Sequence, residues 1–311
     1  MKRLVLTIAA ILLTGLPMQA QEALTPTATD SISVNYVLVP FVVFNEYGTP
    51  IRNLRERDVQ LMVDGESVDL DFFERSHDAP VSFTILLDAS GSMALGGKME
   101  GARKALEALI RQKNPGDDYT LYSFSQGEVR HLVPFTGDGE RILEAFDRVE
   151  PYGKTALFDA LRRMPDKTIL GSNGARAIIL LSDGLDNASK IDRSQLADIL
   201  RGVSVPVFPL SLRTPEAALA PDLRNNREAK LDLAVLAAVA GASGGRLAIT
   251  QDPKYLGRAV DNILEELRSQ YLLGFSPSGR GGVRYRAISL NLKRPVGVVR
   301  IRSGYLGTAP H

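Results

Sequence analysis

The stretch "VSFTILLDASGSM", residues 81–93, decides the fold. Its first part is a continuous apolar run, which predicts a strand buried on both faces, as in a parallel sheet. Asp88 ends that strand, and Ser90 and Ser92 follow in a turn with Gly91 between them. In an open α/β sheet, ligands bind beyond the carboxyl ends of the strands. We therefore predict that this aspartate and these serines belong to a binding site.

Strand patterns and helix patterns alternate after this stretch, up to about residue 269. An apolar face at helical spacing predicts a helix over 98–112, and "ARAIILLSDG" at 175–184 predicts a second fully apolar strand. Gln126-Gly127 lies between two further strand patterns and predicts a hairpin. This alternation predicts an α/β domain over residues 79–269, a doubly wound, mostly parallel sheet with helices on both faces.

The segments on either side, residues 31–78 and 270–306, have strand and turn patterns only. Asp64-Gly65 lies between two such runs, which is a strong hairpin signal. Neither segment has enough strands to bury a face alone. We therefore predict a flanking β-sandwich in which N-terminal and C-terminal strands pack together. Seven basic residues and no acidic ones lie between Gly279 and Arg302. We interpret them as the solvated face of a sheet, with contact to an anionic surface as the alternative.

The first twenty residues have the pattern of a signal peptide. Lys2 and Arg3 precede an apolar stretch over 4–16, which is too short to span a membrane, and Ala20 is a small residue at a cleavage point. Residues 21–30 are polar and threonine-rich and predict a disordered lead-in. We expect an exported protein, periplasmic or extracellular, with no transmembrane segment in the mature chain. An uncleaved membrane anchor is the alternative.

Composition excludes several classes of site. The 311 residues include no cysteine, so disulfides, thiol catalysis and cysteine-ligated zinc are excluded. The histidines, His77, His131 and His311, are far apart in sequence, which gives little support to a Ser-His-Asp triad. The net charge of +1 gives no reason to expect nucleic acid as a partner.

Three segments place oxygen-bearing side chains where the predicted strands end. The second apolar strand leads to Asp183, and right-handed crossovers would put it on the same side of the sheet as Asp88. Thr155 lies at a loop-to-helix junction, where it is also a possible N-cap. Such a set of oxygen donors, without nitrogen or sulfur, suits Mg²⁺, Mn²⁺ or Ca²⁺. The candidate ligands are Asp88, Ser90, Ser92, Thr155 and Asp183. One coordination position would stay exchangeable and could take a carboxylate from another protein.

Taken together, "DASGS" at 88–92, "KTALFDAL" at 154–161 and "LLSDG" at 180–184 resemble the von Willebrand factor type A (VWA) domain. The metal-ion-dependent adhesion site (MIDAS) of that family combines an Asp-x-Ser-x-Ser turn with a distant Thr and a distant Asp. The resemblance implies that the five candidates are the ligands, that Mg²⁺ is the expected ion, and that a protein partner supplies an acidic side chain. Lys154 departs from the family pattern, which commonly has a small residue there. The flanking segments resemble exported VWA-related proteins of certain soil bacteria.

Other functions fit these residues less well. "GSMALGGK" at 91–98 and "YGKT" at 152–155 each lack a residue that a phosphate-binding loop requires. A metal-assisted hydrolase is the enzymatic alternative, but Ser90 and Ser92 lack a nucleophile elbow and an evident His or Lys base. We therefore expect no enzymatic activity. A structural module with a vestigial site is a third possibility. We interpret Asp117, Asp118 and Asp186 as solvated loop acids.

Overall fold

The structure is a computed structural model that describes residues 36–200, 203–212, 227–250, 255–277, 282–294 and 297–308. The predicted signal peptide and lead-in lie outside the described residues. The strands are β1 (Val37–Phe44), β2 (Val59–Val63), β3 (Glu66–Val68), β4 (Phe72–Arg75), β5 (Val81–Asp88), β6 (Asp118–Ser125), β7 (Glu128–Thr136), β8 (Ala175–Ser182), β9 (Val207–Leu212), β10 (Ala248–Thr250), β11 (Tyr271–Phe275), β12 (Arg284–Leu292), β13 (Val298–Ile301) and β14 (Gly304–Gly307). The helices are α1 (Lys98–Arg111), α2 (Gly139–Asp147), α3 (Leu157–Leu161), α4 (Met164–Thr168), α5 (Arg193–Leu200), α6 (Arg227–Ser243) and α7 (Leu256–Leu267). Short 3₁₀ turns cover Glu56–Asp58 and Gly91–Ala94.

A six-stranded sheet in the order β10-β9-β8-β5-β6-β7 forms the centre of the fold. Its strands are parallel except β7, which pairs antiparallel with β6. β5 is buried along its whole length, since helices cover both faces. Phe83 and Ile85 belong to the apolar core with α1, α2 and α7, whereas Leu86 belongs to the core with α3, α4, α5 and α6. The predicted α/β fold class is confirmed; the predicted boundaries at residues 79 and 269 stay a prediction.

The two predicted hairpin turns are present. Asp64 and Gly65, between β2 and β3, have φ angles of 51° and 90°, and Gln126 and Gly127, between β6 and β7, have 49° and 81°. Two consecutive residues with positive φ are the mark of the two-residue turn that matches the twist of paired strands.

The N-terminal and C-terminal strands interleave in two antiparallel sheets. In one sheet, with the order β13-β1-β11-β4, C-terminal and N-terminal strands alternate. In the other, with the order β14-β12-β2-β3, a pair of C-terminal strands adjoins a pair of N-terminal strands. Phe41 and Tyr271 from the first sheet share one buried cluster with Leu61 and Leu290 from the second. This shared core confirms the predicted flanking β-sandwich, because neither end of the chain buries its apolar face without the other.

The C-terminal basic segment differs from its interpretation as a solvated face. Arg286 is buried, and its Nη1 donates to Asp64 Oδ2 at 2.9 Å. Arg302 is also buried and donates from Nη2 to the carbonyl of Leu38 at 2.8 Å, and burial lowers its pKa to about 10. The interpretation is wrong for these residues because each guanidinium donates to an acceptor far away in sequence, Asp64 in the β2–β3 turn and Leu38 in β1.

Asp117 and Asp118 are buried rather than solvated, which corrects a second interpretation. Asp117 Oδ1 accepts the backbone N–H of Val81 at 2.8 Å, and its Oδ2 accepts from Arg268 at 3.0 Å. Asp118 Oδ2 accepts the N–H of Ser172 at 3.2 Å. Asp117 therefore positions the amino end of β5, opposite the end that carries Asp88, whereas Asp118 holds the segment that precedes β8. Among the described residues, no helix is long and apolar enough to cross a membrane.

Candidate metal-binding site

Two adjacent parallel strands bring the predicted aspartates to one edge of the sheet. β5 and β8 pair in a register that places Leu87 opposite Leu181, so Asp88 and Ser182 follow at the same level. Ser182 Oγ donates to Asp88 Oδ2 at 2.7 Å, which links the two strand ends directly. Asp183 comes next, and both aspartates are buried. The prediction that these carboxylates share one edge agrees with this pairing.

The Asp88–Ser92 turn points its hydroxyl groups toward each other. Asp88 Oδ1 accepts the backbone N–H of Ser90 at 2.9 Å, and Ser90 Oγ lies 3.1 Å from Ser92 Oγ. Gly91 N–H donates to the carbonyl of Gly153 at 3.0 Å, which ties the turn to the loop that carries Thr155. The turn therefore presents one carboxylate and two adjacent hydroxyls.

Thr155 joins the loops around the site but does not cap a helix. Its N–H donates to Asn187 Oδ1 at 2.8 Å, and its carbonyl accepts the N–H of Asn187 at 3.0 Å. The possible N-cap role is wrong, because the N-cap of α3 is Ala156 and has no side-chain capping bond. Within the described residues no hydrogen bond to the buried Thr155 hydroxyl is present. The hydroxyl is therefore available as a ligand.

A lysine that the sequence reasoning missed lies in the site. Lys98 Nζ donates to Asp183 Oδ2 at 2.7 Å, and both side chains are buried. Asp183 Oδ1 accepts the N–H of Leu185 at 3.3 Å. The sequence did carry a signal for this contact. Lys98 is the first residue of the helix that follows the Asp88–Ser92 turn, and a short glycine pair leads into it.

The carboxylates outnumber the cations at this site. Burial and the nearby charge of Asp183 raise the pKa of Asp88 to about 6. Asp88 accepts only from Ser90 and Ser182 among the described residues, whereas Asp183 has Lys98. With both aspartates ionised, the cluster retains one uncompensated negative charge in a buried place, which is costly without a counter-charge. Oxygen donors with a charge deficit fit a hard divalent cation.

Two further carboxylates, those of Asp186 and Asp232, stabilise the loop after β8. Asp186 Oδ2 accepts the N–H of Phe158 at 3.1 Å and the hydroxyl of Ser189 at 2.5 Å, so its interpretation as a solvated acid is wrong. Asp232 on α6 accepts the N–H of Asp186 at 3.0 Å. Gly184 has a φ of 80°, and a Cβ there would lie 2.7 Å from Leu233 Cδ2. These contacts fix the position of Asp183.

Comparisons with known proteins agree with this architecture. A family model described as von Willebrand factor type A domain matches residues 83–185, a span that contains all five candidate ligands. A comparison with the curated proteins found no match.

Solved structures with the same kind of fold also match. The pilus adhesin SpaC from Lactobacillus rhamnosus GG is 10% identical with a TM-score of 0.50, and the match covers 87% of this chain and 50% of that one. A von Willebrand factor type A protein from Catenulispora acidiphila is 13% identical with a TM-score of 0.48, over 89% and 73% of the two chains. An aerotolerance-related membrane protein from Bacteroides fragilis is 21% identical with a TM-score of 0.47, over 60% and 98%. Identities this low bear on the fold alone. Residues 83–185 therefore resemble a von Willebrand factor type A domain, and the central six-stranded sheet has a fold of that kind.

Proposed function

We propose that this chain is an exported protein-binding module whose VWA domain holds a divalent cation, Mg²⁺ in the first place, and captures an acidic side chain of a partner protein. One observation carries the proposal. Asp88 and Asp183 are buried at one edge of the sheet beside the Ser90 and Ser92 hydroxyls, with a single lysine to balance two carboxylates.

Each candidate ligand has a distinct task in this proposal. Asp88 and Asp183 supply negative charge, and Ser90, Ser92 and Thr155 supply neutral oxygen atoms. A bound Mg²⁺ would supply a Lewis-acidic centre with a position for one more oxygen ligand, since this ion usually keeps exchangeable water. The hydrogen bonds from Ser90 N–H and Ser182 Oγ hold the Asp88 carboxylate in one orientation.

The surface around the site supports capture of a protein. Leu95, in the turn after Ser92, is 65% exposed, and Tyr152, beside Gly153, is 40% exposed. Arg130 donates to the Tyr152 hydroxyl at 2.8 Å and lies over its ring. Exposed aromatic and apolar side chains near a polar centre are typical of protein-binding surfaces.

We propose that the site does not carry out hydrolysis. Ser90 Oγ and Ser92 Oγ lie within hydrogen-bond distance of each other, and Lys98 is bonded to Asp183. His77 lies against Tyr271, and His131 stacks on Tyr122 and lies 3.0 Å from Thr120 Oγ1. No described histidine therefore contacts either serine, and a nucleophile would lack a base.

Export rests on the N-terminal sequence alone. Residues 1–20 have the charged start and short apolar stretch of a signal peptide. A bacterial secretion assay of the full chain, with the N-terminus of the secreted product sequenced, tests this part. A product that begins at Gln21 supports export, and a product retained in the cytoplasm with Met1 intact contradicts it.

Calorimetric titration of the chain from Gln21 onward with Mg²⁺, Mn²⁺ and Ca²⁺ tests the metal site. We expect saturable binding that Asp88→Asn abolishes, because this change removes one of the two anionic ligands while keeping the size of the side chain. Asp166→Asn, which alters an exposed aspartate on α4, is the matched control and should bind as the wild type does. Equal titrations for both variants would remove the basis of the proposal.

A further inference from the structure

We propose that Lys98 is the built-in counter-ion of the metal-free site, and that its ammonium and a divalent cation compete for Asp183. This competition rests on the proposed metal-binding function. It identifies Lys98 as the residue that determines how tightly the cation binds. The carrying observation is the buried ion pair between Lys98 Nζ and Asp183 Oδ2, at 2.7 Å.

Charge balance makes the two cations rivals. Two ionised aspartates and Lys98 sum to one negative charge, so a divalent ion added beside the ammonium gives an excess positive charge. The same ion with Lys98 withdrawn gives a neutral cluster. Charges a few ångströms apart interact strongly where water is excluded. The arrangement with both cations in place is therefore the unfavourable one, and Lys98 lowers the affinity for the ion.

The position of Lys98 at the start of α1 indicates that the ion pair with Asp183 keeps the lysine side chain in the site. α1 is a 14-residue helix that begins at Lys98. A positive charge at the first residue of a helix is unfavourable, because the helix dipole is positive at that end. The side chain nevertheless stays buried on Asp183, rather than turning into solvent. The ion pair must outweigh the dipole in the metal-free protein.

Lys98 also has a route out of the site. Gly96 and Gly97 precede it with φ angles of 66° and 71°, and Leu95 before them is largely exposed. A lysine stem is flexible, and its ammonium is strongly hydrated, so the side chain can leave for solvent without moving the helix. The released ammonium would then add a positive charge to the rim of the site. Metal binding and attraction of an acidic partner would thus be coupled through one residue.

The test compares Lys98→Met with Lys104→Met. Both changes remove a lysine charge from α1, but Lys104 is exposed and pairs with Glu100 at 2.6 Å. Mg²⁺ affinity is measured by calorimetry, and thermal unfolding is followed in EDTA and in saturating Mg²⁺. Lys98→Gln serves as a second variant, which keeps a donor for Asp183 without the charge, should the methionine variant fail to fold.

We expect Lys98→Met to bind Mg²⁺ roughly tenfold more tightly than the wild type. We expect it to unfold at a lower temperature in EDTA and at the wild-type temperature in Mg²⁺. Lys104→Met should match the wild type throughout. Mg²⁺ binding by Lys98→Met that is equal to or weaker than wild-type binding overturns the competition while leaving the metal site intact. Absence of Mg²⁺ and Mn²⁺ binding in the wild type overturns the proposed function itself, and the competition with it.

Discussion

Two buried charge clusters in this molecule contain the same types of group in opposite proportions. At the carboxyl edge of the central sheet, Asp88 and Asp183 share the single cation of Lys98. Between α7 and the β-sandwich, the single carboxylate of Glu266 is shared by Arg246 and Arg300. The first cluster has fewer positive than negative groups, whereas the second has more positive than negative groups.

The difference in proportion separates a cluster that we propose binds a cation from one that joins parts of the fold. Glu266 is 1% exposed and pairs with Arg300, whose guanidinium lies 4.7 Å from the ring centroid of Phe44, so this ion pair joins α7 to the β-sandwich. The Asp88 cluster includes the Ser90 and Ser92 hydroxyls, which lie within hydrogen-bond distance of each other, and the Ser182 hydroxyl, which donates to Asp88. A buried cluster short of one charge therefore points to function, and a balanced or cation-rich one points to structure.

The largest effect should come from breaking the structural cluster. Glu266→Ala leaves Arg246 and Arg300 facing each other without a carboxylate, and removal of one partner from a buried pair costs about 3 to 4 kcal/mol. Urea unfolding with and without Mg²⁺ measures this loss, which should be the same in both conditions. If Mg²⁺ restored the lost free energy of unfolding, the two clusters would not be independent.

The second-largest effect should be on the pH dependence of the free energy of unfolding, which distinguishes the two clusters. The folded-state pKa of Asp88 is raised from its ordinary value of 3.8 to about 6, because burial and the charge of Asp183 disfavour its ionised form. Its contribution to metal-free stability is therefore fully present below about pH 4 and is lost as the pH rises through 6. The shift corresponds to about 2 to 3 kcal/mol. We expect urea unfolding in EDTA to show this loss in the wild type and not in Asp88→Asn.

Glu266 provides the matching comparison, since burial raises its pKa as well, against the opposing effect of Arg300 and Arg246. Its contribution also falls as the pH rises, but Glu266 is not one of the proposed metal ligands. Saturating Mg²⁺ should thus remove the Asp88 part of the pH dependence and leave the Glu266 part. An unchanged profile in Mg²⁺ would contradict the assignment of Asp88 as a metal ligand.

A smaller effect is expected from Thr155→Ala. Its hydroxyl caps no helix, so the change should lower the free energy of unfolding by less than about 1 kcal/mol. Mg²⁺ affinity should fall by roughly tenfold, the equivalent of about 1.4 kcal/mol, because one neutral oxygen donor is lost. Thr155→Ser keeps the hydroxyl and should bind like the wild type in the same calorimetric titration. Similar affinities for the alanine and serine variants would exclude this threonine from the site.

The smallest effect should come from an exposed pair. Lys104 and Glu100 lie one helical turn apart on the surface of α1. Exposed pairs of this kind contribute little, since water and salt screen them. We expect Lys104→Met to leave the midpoint of urea unfolding unchanged within error. A clear loss would mean that charge on α1 matters apart from the buried contact of Lys98.

Much of the fold could be predicted because its signals are local. The apolar run before Asp88 predicts a strand buried on both faces, and β5 is such a strand. Asp64-Gly65 predicts a hairpin because Asp and Gly accept two positive φ angles in succession, and in Gln126-Gly127 the glycine is the residue that favours such a turn. The candidate ligands could be named for a similar reason, since small hydroxyl residues two apart after a strand form one compact turn.

By itself, the sequence determined the order of strands and helices, the two hairpins, and the oxygen-donor set at the ends of β5 and β8. Only the tertiary structure decided which charged groups meet in the interior. Lys98 and Asp183 are 85 residues apart, and Arg286 and Asp64 are 222 residues apart. Periodicity and turn chemistry act over a few residues, whereas burial of a charge depends on which distant element packs against it. The charge balance of the candidate metal site therefore became visible only in the folded chain.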